Sequence, residues 1–209
     1  MSELKTLELC LPYDVTRRRV NVGERSFQLA TLRNLDEAVD LLCESLEKKH
    51  PLQSELIFDQ VFAENLCPYF GQLWPSALGL AEFINRMPVQ DVNILELGCG
   101  LALPSMIAAQ KGARVIASDF HPDVEAMFRF NCQLNALDEF SISYRELNWR
   151  ESPVFQQFPL VMASDVLYEG RHPEEMAHAL ARWCLPKGKI IVADQGRGQL
   201  QRFVSLMEQ

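Results

Sequence analysis

The chain has 209 residues, 48% hydrophobic and 23% charged, which is apolar material enough for one well-buried α/β domain with an extension and too much for a disordered chain. Its formal net charge of −8 offers no positive field to nucleic acid or an anionic membrane and suits a cationic partner. No run approaches the ~20 apolar residues that span a bilayer. The six cysteines, Cys10, Cys43, Cys67, Cys99, Cys132 and Cys184, show no CxxC pair and no His at metal-ligand spacing. The expectation is reduced thiols, no metal, no membrane and a cytoplasmic location.

From Arg17 to Leu32, apolar Val20, Val22, Phe27 and Leu29 alternate with polar neighbours about Gly23-Glu24, which predicts a β-hairpin. The three arginines Arg17 to Arg19 read as a solvated face. Asn34 with Glu37 is a capping pair, and Leu35, Ala38, Val39, Leu42 and Leu46 then repeat at helical spacing until His50-Pro51. A second apolar cluster, Ile57, Phe58, Val61 and Phe62, predicts a short helix ahead of Pro68. These elements make residues 1–67 a lid-like N-terminal extension and leave 68–209 as the main domain. The stretch Pro68 to Ala77 carries Tyr69, Phe70 and Trp74; it is too aromatic for a linker and leads into a helix with Leu78, Ala81, Phe83 and Ile84.

Asn93 to Leu97 is an apolar run that stops at an acid, Glu96, and then at Gly98-Cys99-Gly100; Pro104 opens a helix that Gly112 ends. Strand, glycine turn and helix start make a nucleotide-cofactor loop, because glycine lets backbone amides approach a ligand. A dinucleotide fingerprint has a third glycine where this chain has Leu103. That departure argues against a pyrophosphate and for a nucleoside joined to an uncharged or zwitterionic arm, which S-adenosylmethionine fits. Val115 to Ser118 is a second apolar run, and it ends at Asp119, twenty-one positions after Gly98, the distance expected of a carboxylate that bonds ribose hydroxyls. His121, just beyond, reads as a helix-start residue.

A helix from His121-Pro122 to Leu134, a third strand from Ser141 to Arg145 and a fourth from Leu160 to Ser164, again ending in an acid, Asp165, come next. A helix over 173–184, a Pro186-Lys187-Gly188 turn, a fifth strand from Lys189 to Asp194 and a helix over 199–208 follow. This rhythm predicts an α/β, Rossmann-like, doubly wound, mainly parallel sheet of order 3-2-1-4-5. The ends of its first and fourth strands would lie side by side at the topological switch point.

Glu96-Leu97-Gly98-Cys99-Gly100 resembles motif I of the seven-β-strand, class I, S-adenosylmethionine-dependent methyltransferases. Leu73-Trp74-Pro75 and Asp165-Val166-Leu167-Tyr168 are similar to segments of the family-16 protein-lysine methyltransferases. The resemblance implies that Glu96, Gly98, Cys99, Gly100 and Asp119 hold S-adenosylmethionine, that Trp74 approaches its methionine arm, and that Asn148 and Trp149 border the adenine. It also implies that Asp165 and Tyr168 hold a lysine amine of a protein substrate. In one respect the chain departs from the family pattern: no segment is left for the usual closing sixth and seventh strands. A small-molecule methyltransferase would share every cofactor motif and is the alternative. Leu103 opposes a nicotinamide oxidoreductase, and Asp165 with Tyr168 opposes a non-catalytic binding module.

Overall fold

The computed structural model describes residues 11–49 and 66–208, so the helix expected over 57–62 lies outside the described residues. Strands β1 (Val15–Val22) and β2 (Arg25–Leu32) pair antiparallel with Val22 opposite Arg25, which leaves Gly23-Glu24 as the two-residue turn. Arg17 stands opposite Ala30 and Arg19 opposite Gln28, and the backbone groups of Ala30 and Gln28 face away from β1. Two asparagines meet them. The Ala30 N–H donates to Asn131 Oδ1 (2.7 Å) and the Gln28 N–H to Asn135 Oδ1 (2.8 Å). In return Asn131 Nδ2 donates to the Ala30 carbonyl (3.3 Å) and Asn135 Nδ2 to the Gln28 carbonyl (2.8 Å). The side-chain amides thus stand in for a third strand and close an edge that would otherwise be open to pairing.

Helix α1 (Leu35–Lys49) starts as the capping pair dictates: Asn34 Oδ1 accepts the Asp36 N–H (2.9 Å) and Asn34 Nδ2 donates to Glu37 Oε1 (3.2 Å). Its Leu42, Cys43 and Leu46 pack on Cys67 together with Leu66 and Tyr69. Ahead of the hairpin, the Tyr13 hydroxyl donates to Asp123 Oδ2 (3.0 Å) and its ring meets Phe70 edge-on at 6.3 Å. Among the described residues, the N-terminal elements buttress the aromatic segment from behind.

The main sheet has five parallel strands, β3 (Asn93–Leu97), β4 (Arg114–Asp119), β5 (Ile142–Glu146), β6 (Phe158–Ser164) and β7 (Cys184–Ala193), in the order β5-β4-β3-β6-β7. This is the 3-2-1-4-5 order. Counted from the hairpin, the chain's sixth and seventh strands occupy its fourth and fifth places, and among the described residues no antiparallel strand follows β7. Helices α2 (Pro75–Arg86), α3 (Leu103–Gln110) and α4 (Val124–Leu134) pack with the hairpin on one face, where Ile94, Leu160 and Met162 point. Helices α5 (His172–Trp183) and α6 (Leu200–Met207) cover the other, against Leu95, Leu97, Val161 and Ala163. Burial on both faces is why the central strands β3, β4 and β6 read as mainly apolar runs. Among the described residues no helix is long and apolar enough to cross a membrane.

One boundary differs from expectation. Pro186-Lys187-Gly188 does not separate a helix from a strand, since β7 already begins at Cys184, the residue that caps α5. Phe158 pairs with Cys184 but Leu160 with Lys189, so the three residues form a bulge, with Lys187 at φ 67°. An edge strand tolerates both the missing proline N–H and the extra length.

Strand β3 is tied to α3 by its acid. Glu96 is fully buried, and its Oε2 accepts both the Ser105 hydroxyl and the Ser105 N–H, the latter at 3.1 Å. Burial pushes the Glu96 carboxyl up to about 8.

Two outcomes follow from these contacts. Asn131→Ala would strand a buried N–H and C=O on β2 and should destabilise the protein by about 2–4 kcal/mol in urea denaturation, given ~1–3 kcal/mol per orphaned group; a loss below about 1 kcal/mol would contradict the edge role. For Glu96, the folded state binds the proton more tightly than the unfolded chain. Its contribution is therefore fully present below the ordinary 4.5 and is lost as pH rises towards about 8. Glu96→Gln removes this titration, so the variant should gain on the wild type between those limits, at up to about 1.4 kcal/mol per pH unit. A stability difference independent of pH would refute it.

Candidate active site

Parallel pairing sets Leu97 beside Ser118 on one side and Ala163 on the other, so the acid-bearing ends of β3, β4 and β6 meet at the switch point. They open on one cleft. Its walls are the aromatic segment from Cys67 to Ala77, the loop from Gly98 to Leu103, Asp119 to His121, Trp149, and the turn carrying Ser164, Asp165, Val166 and Tyr168.

Gly98 and Gly100 have φ of 65° and 48°. A Cβ on Gly98 would lie 2.9 Å from Val166 Cγ1 and 3.3 Å from the Trp149 ring, and one on Gly100 would lie 3.1 Å from the Phe70 carbonyl oxygen. Glycine is thus required by backbone and space together. Asp119 holds the loop from the next strand: its Oδ2 accepts the Gly100 N–H (3.1 Å) and its Oδ1 the N–H groups of Phe120 (2.8 Å) and His121 (3.2 Å). Burial raises the Asp119 pKa, and these N–H bonds oppose the rise.

Of the residues expected at the site, Trp74, Gly98, Cys99, Gly100, Asp119, Trp149, Asp165 and Tyr168 line the cleft, whereas Glu96 and Asn148 are not among its lining residues. The reasons are local. Glu96 faces α3, and by taking the Ser105 N–H it consumes a helix-start amide that a pyrophosphate would otherwise need. Asn148 builds its own turn, with Oδ1 accepting the Arg150 N–H at 3.1 Å. His121 is a helix-start residue as expected: its Nδ1 accepts the Asp123 N–H (3.2 Å), and its Nε2 stands 3.0 Å from the Leu66 carbonyl oxygen, which leaves Nε2 to carry the proton.

Trp149 is 6% exposed, edge-on to Phe120 at 6.5 Å and to His172 at 5.8 Å, and its Nε1 has no hydrogen-bond partner. Trp74 precedes α2 and donates from Nε1 to the Tyr69 carbonyl (2.9 Å). Asp165, at φ 55°, caps α2 from afar: its Oδ2 accepts the Ser76 N–H (3.1 Å), while its Oδ1 accepts from Gln195 Nε2 (2.9 Å) and from Arg197 Nη1. Tyr168 is 41% exposed, with its ring edge-on to Tyr69 at 6.0 Å and to His172 at 4.4 Å.

Sequence reasoning missed Tyr69 and Phe70 as cleft walls and Gln195 and Arg197 as partners of Asp165. One signal for the latter was available in Asp194 followed by Gly196: Asp194 Oδ1 accepts the N–H groups of Gly196 (2.8 Å) and Arg197 (2.9 Å), an Asx-type turn that aims Arg197 back at the sheet. The donor set fits an adenosine-bearing cofactor. A carboxylate ends β4, two glycines leave a cradle that Cβ atoms would fill, and a buried indole N–H lacks a partner beside it.

Comparison with known proteins agrees. The chain is 33% identical over 118 residues to the histone-arginine methyltransferase METTL23 of Xenopus laevis, covering 53% of this chain and 50% of that protein. It is 27% identical over 140 residues to the electron transfer flavoprotein beta subunit lysine methyltransferase of Homo sapiens, covering 63% and 51%. The chain thus spans about half the length of these curated relatives. In fold it is similar to the T. Thermophilus 16S rRNA N2 G1207 methyltransferase in complex with AdoMet and guanosine (TM-score 0.61, 14% identity, 93% of this chain and 45% of that one). A family model described as lysine methyltransferase matches residues 51–209, and the chain belongs to that family.

Proposed function

We propose that the chain is an S-adenosylmethionine-dependent methyltransferase whose acceptor is a lysine amine of a protein. The observation that carries this reading is the convergence of the glycine loop, Asp119 and Trp149 with Asp165 and Tyr168 on one cleft. The family supports it, as do the relatives named for protein substrates. A net charge of −8 suits a cationic partner.

S-adenosylmethionine supplies a methyl group on a sulfonium, so the protein's task is mainly to position and to exclude water. Gly98, Gly100 and Asp119 would hold the nucleoside, with Asp119 accepting from the ribose hydroxyls, and Trp149 would border the adenine. A lysine must shed its proton before it attacks, and with a pKa near 10.4 only about one in a few thousand is neutral at pH 7. The aromatic wall of Tyr69, Trp74 and Tyr168 favours the neutral amine by desolvation. Asp165 pulls the other way, because a carboxylate favours the ammonium. Its role is to orient the amine and to stabilise the methylammonium product, beside the Tyr168 ring, which offers a cation–π contact.

Incubated with labelled cofactor and a cell extract, the protein should label proteins, with methyl-lysine found by mass spectrometry. Asp165→Asn should lower turnover about ten- to a hundredfold, the equivalent of ~1.5–3 kcal/mol for a hydrogen bond to a charged group. S-adenosylhomocysteine affinity should change little. The wild-type rate should climb between about pH 7 and 9 as the neutral amine fraction grows. Label confined to small molecules would overturn the protein substrate and favour a small-molecule methyltransferase.

A further inference from the structure

Arg197 lies just beyond β7, outside the lining of the cleft, yet its guanidinium reaches a carboxylate that belongs to it. Nη1 donates to Asp165 Oδ1 and stands 3.5 Å from Asp194 Oδ2, and Cζ lies 5.8 Å from the centroid of the Trp74 ring. A cation placed between a buried carboxylate and an indole has the surroundings that a charged acceptor side chain would need.

The contact is built to be exchanged. Asp165 keeps its orientation without Arg197, because neutral donors hold both of its oxygens, the Ser76 N–H on Oδ2 and Gln195 Nε2 on Oδ1. The guanidinium bonds through Nη1 alone and shares it between two acids, so it lacks the bidentate fork that makes arginine pairs strong. Its side chain is 29% exposed, and Asp194, its second partner, is buried at the same spot. If Arg197 swings onto Asp194 as another cation arrives, neither carboxylate is left buried and unpaired, which would be the costly state.

Building on the proposed protein methyltransferase activity, we infer that Asp165 and Trp74 form the acceptor's cation subsite, that Arg197 occupies it while no acceptor is bound, and that the acceptor's cationic side chain enters by displacing Arg197 onto Asp194. Arg197 is then a specificity-determining residue. It sets a threshold that only a side chain with its own positive charge can overcome, and neutral molecules entering the cleft meet a site already filled.

The test measures binding rather than turnover. Butylammonium and methylguanidinium, as stand-ins for lysine and arginine side chains, are titrated into S-adenosylhomocysteine-saturated protein by calorimetry. The proteins are the wild type, Arg197→Met and the double variant Arg197→Met with Asp165→Asn. Arg197→Met should bind one of the two cations roughly tenfold or more tightly than the wild type, since one charge-assisted competitor has gone, and the gain should vanish in the double variant. No gain in Arg197→Met, or a gain that survives loss of the Asp165 charge, would overturn the inference. Should Arg197→Met fail to bind S-adenosylhomocysteine while Arg197→Lys binds it normally, Arg197 is part of the framework and the inference also fails. Neither arm depends on catalysis, so an extract without methyl-lysine would defeat the proposed activity and leave this result standing. Displacement by methylguanidinium in preference to butylammonium would uphold the subsite and move the acceptor from lysine to arginine.

Discussion

A carboxylate taken out of water must find donors, and in this fold three of them find backbone N–H groups of the segments that shape the cleft. Glu96 on β3 takes the Ser105 N–H at the start of α3. Asp119 at the end of β4 takes those of Gly100, Phe120 and His121. Asp165 after β6 takes the Ser76 N–H at the start of α2. Each acid lies at the end of one of three adjacent parallel strands, so satisfying these buried acid groups and folding the cleft are the same event.

Outside the sheet, the same economy of polar groups fixes the aromatic wall. Asn131 and Asn135 hold the hairpin against α4 by completing the backbone bonds of β2. Tyr13 then reaches both Asp123 and Phe70, and α1 supports Cys67 and Tyr69. The wall that would desolvate an acceptor thus depends on contacts well away from the cleft.

Much of the fold was legible in the chain because strands buried on both faces are mainly apolar, and Asn93 to Leu97, Val115 to Ser118 and Leu160 to Ser164 each carry such a core, Ile94-Leu95, Val115 to Ala117 and Leu160 to Ala163. The hairpin was legible from period-two alternation about Gly23-Glu24. The start of β7 was not, because Pro186 and Gly188 carry the signature of a turn whether they form one or a bulge. At the site, the residues singled out by local signals, the glycines and an acid at a strand end, line the cleft. Glu96 is not among the lining residues: an acid beside a glycine loop looks the same in sequence whether it faces a ligand or a helix, and here it bonds Ser105, nine residues away. Tyr69 escaped notice because its importance arises from a contact with Tyr168, about a hundred residues away in the chain, and the turn at Asp194 announces the course of Arg197 but not the carboxylate that it meets.

The central claim is that Asp119 both fixes the glycine loop and receives the nucleoside. Calorimetric titration of S-adenosylhomocysteine into the wild type and into Asp119→Ala tests it most directly. Loss of about 1.5–3 kcal/mol of binding free energy in the variant, the range for hydrogen bonds to a charged group, is the result expected. Unchanged affinity in Asp119→Ala, or tight binding of a nicotinamide dinucleotide with none of S-adenosylhomocysteine, would contradict it.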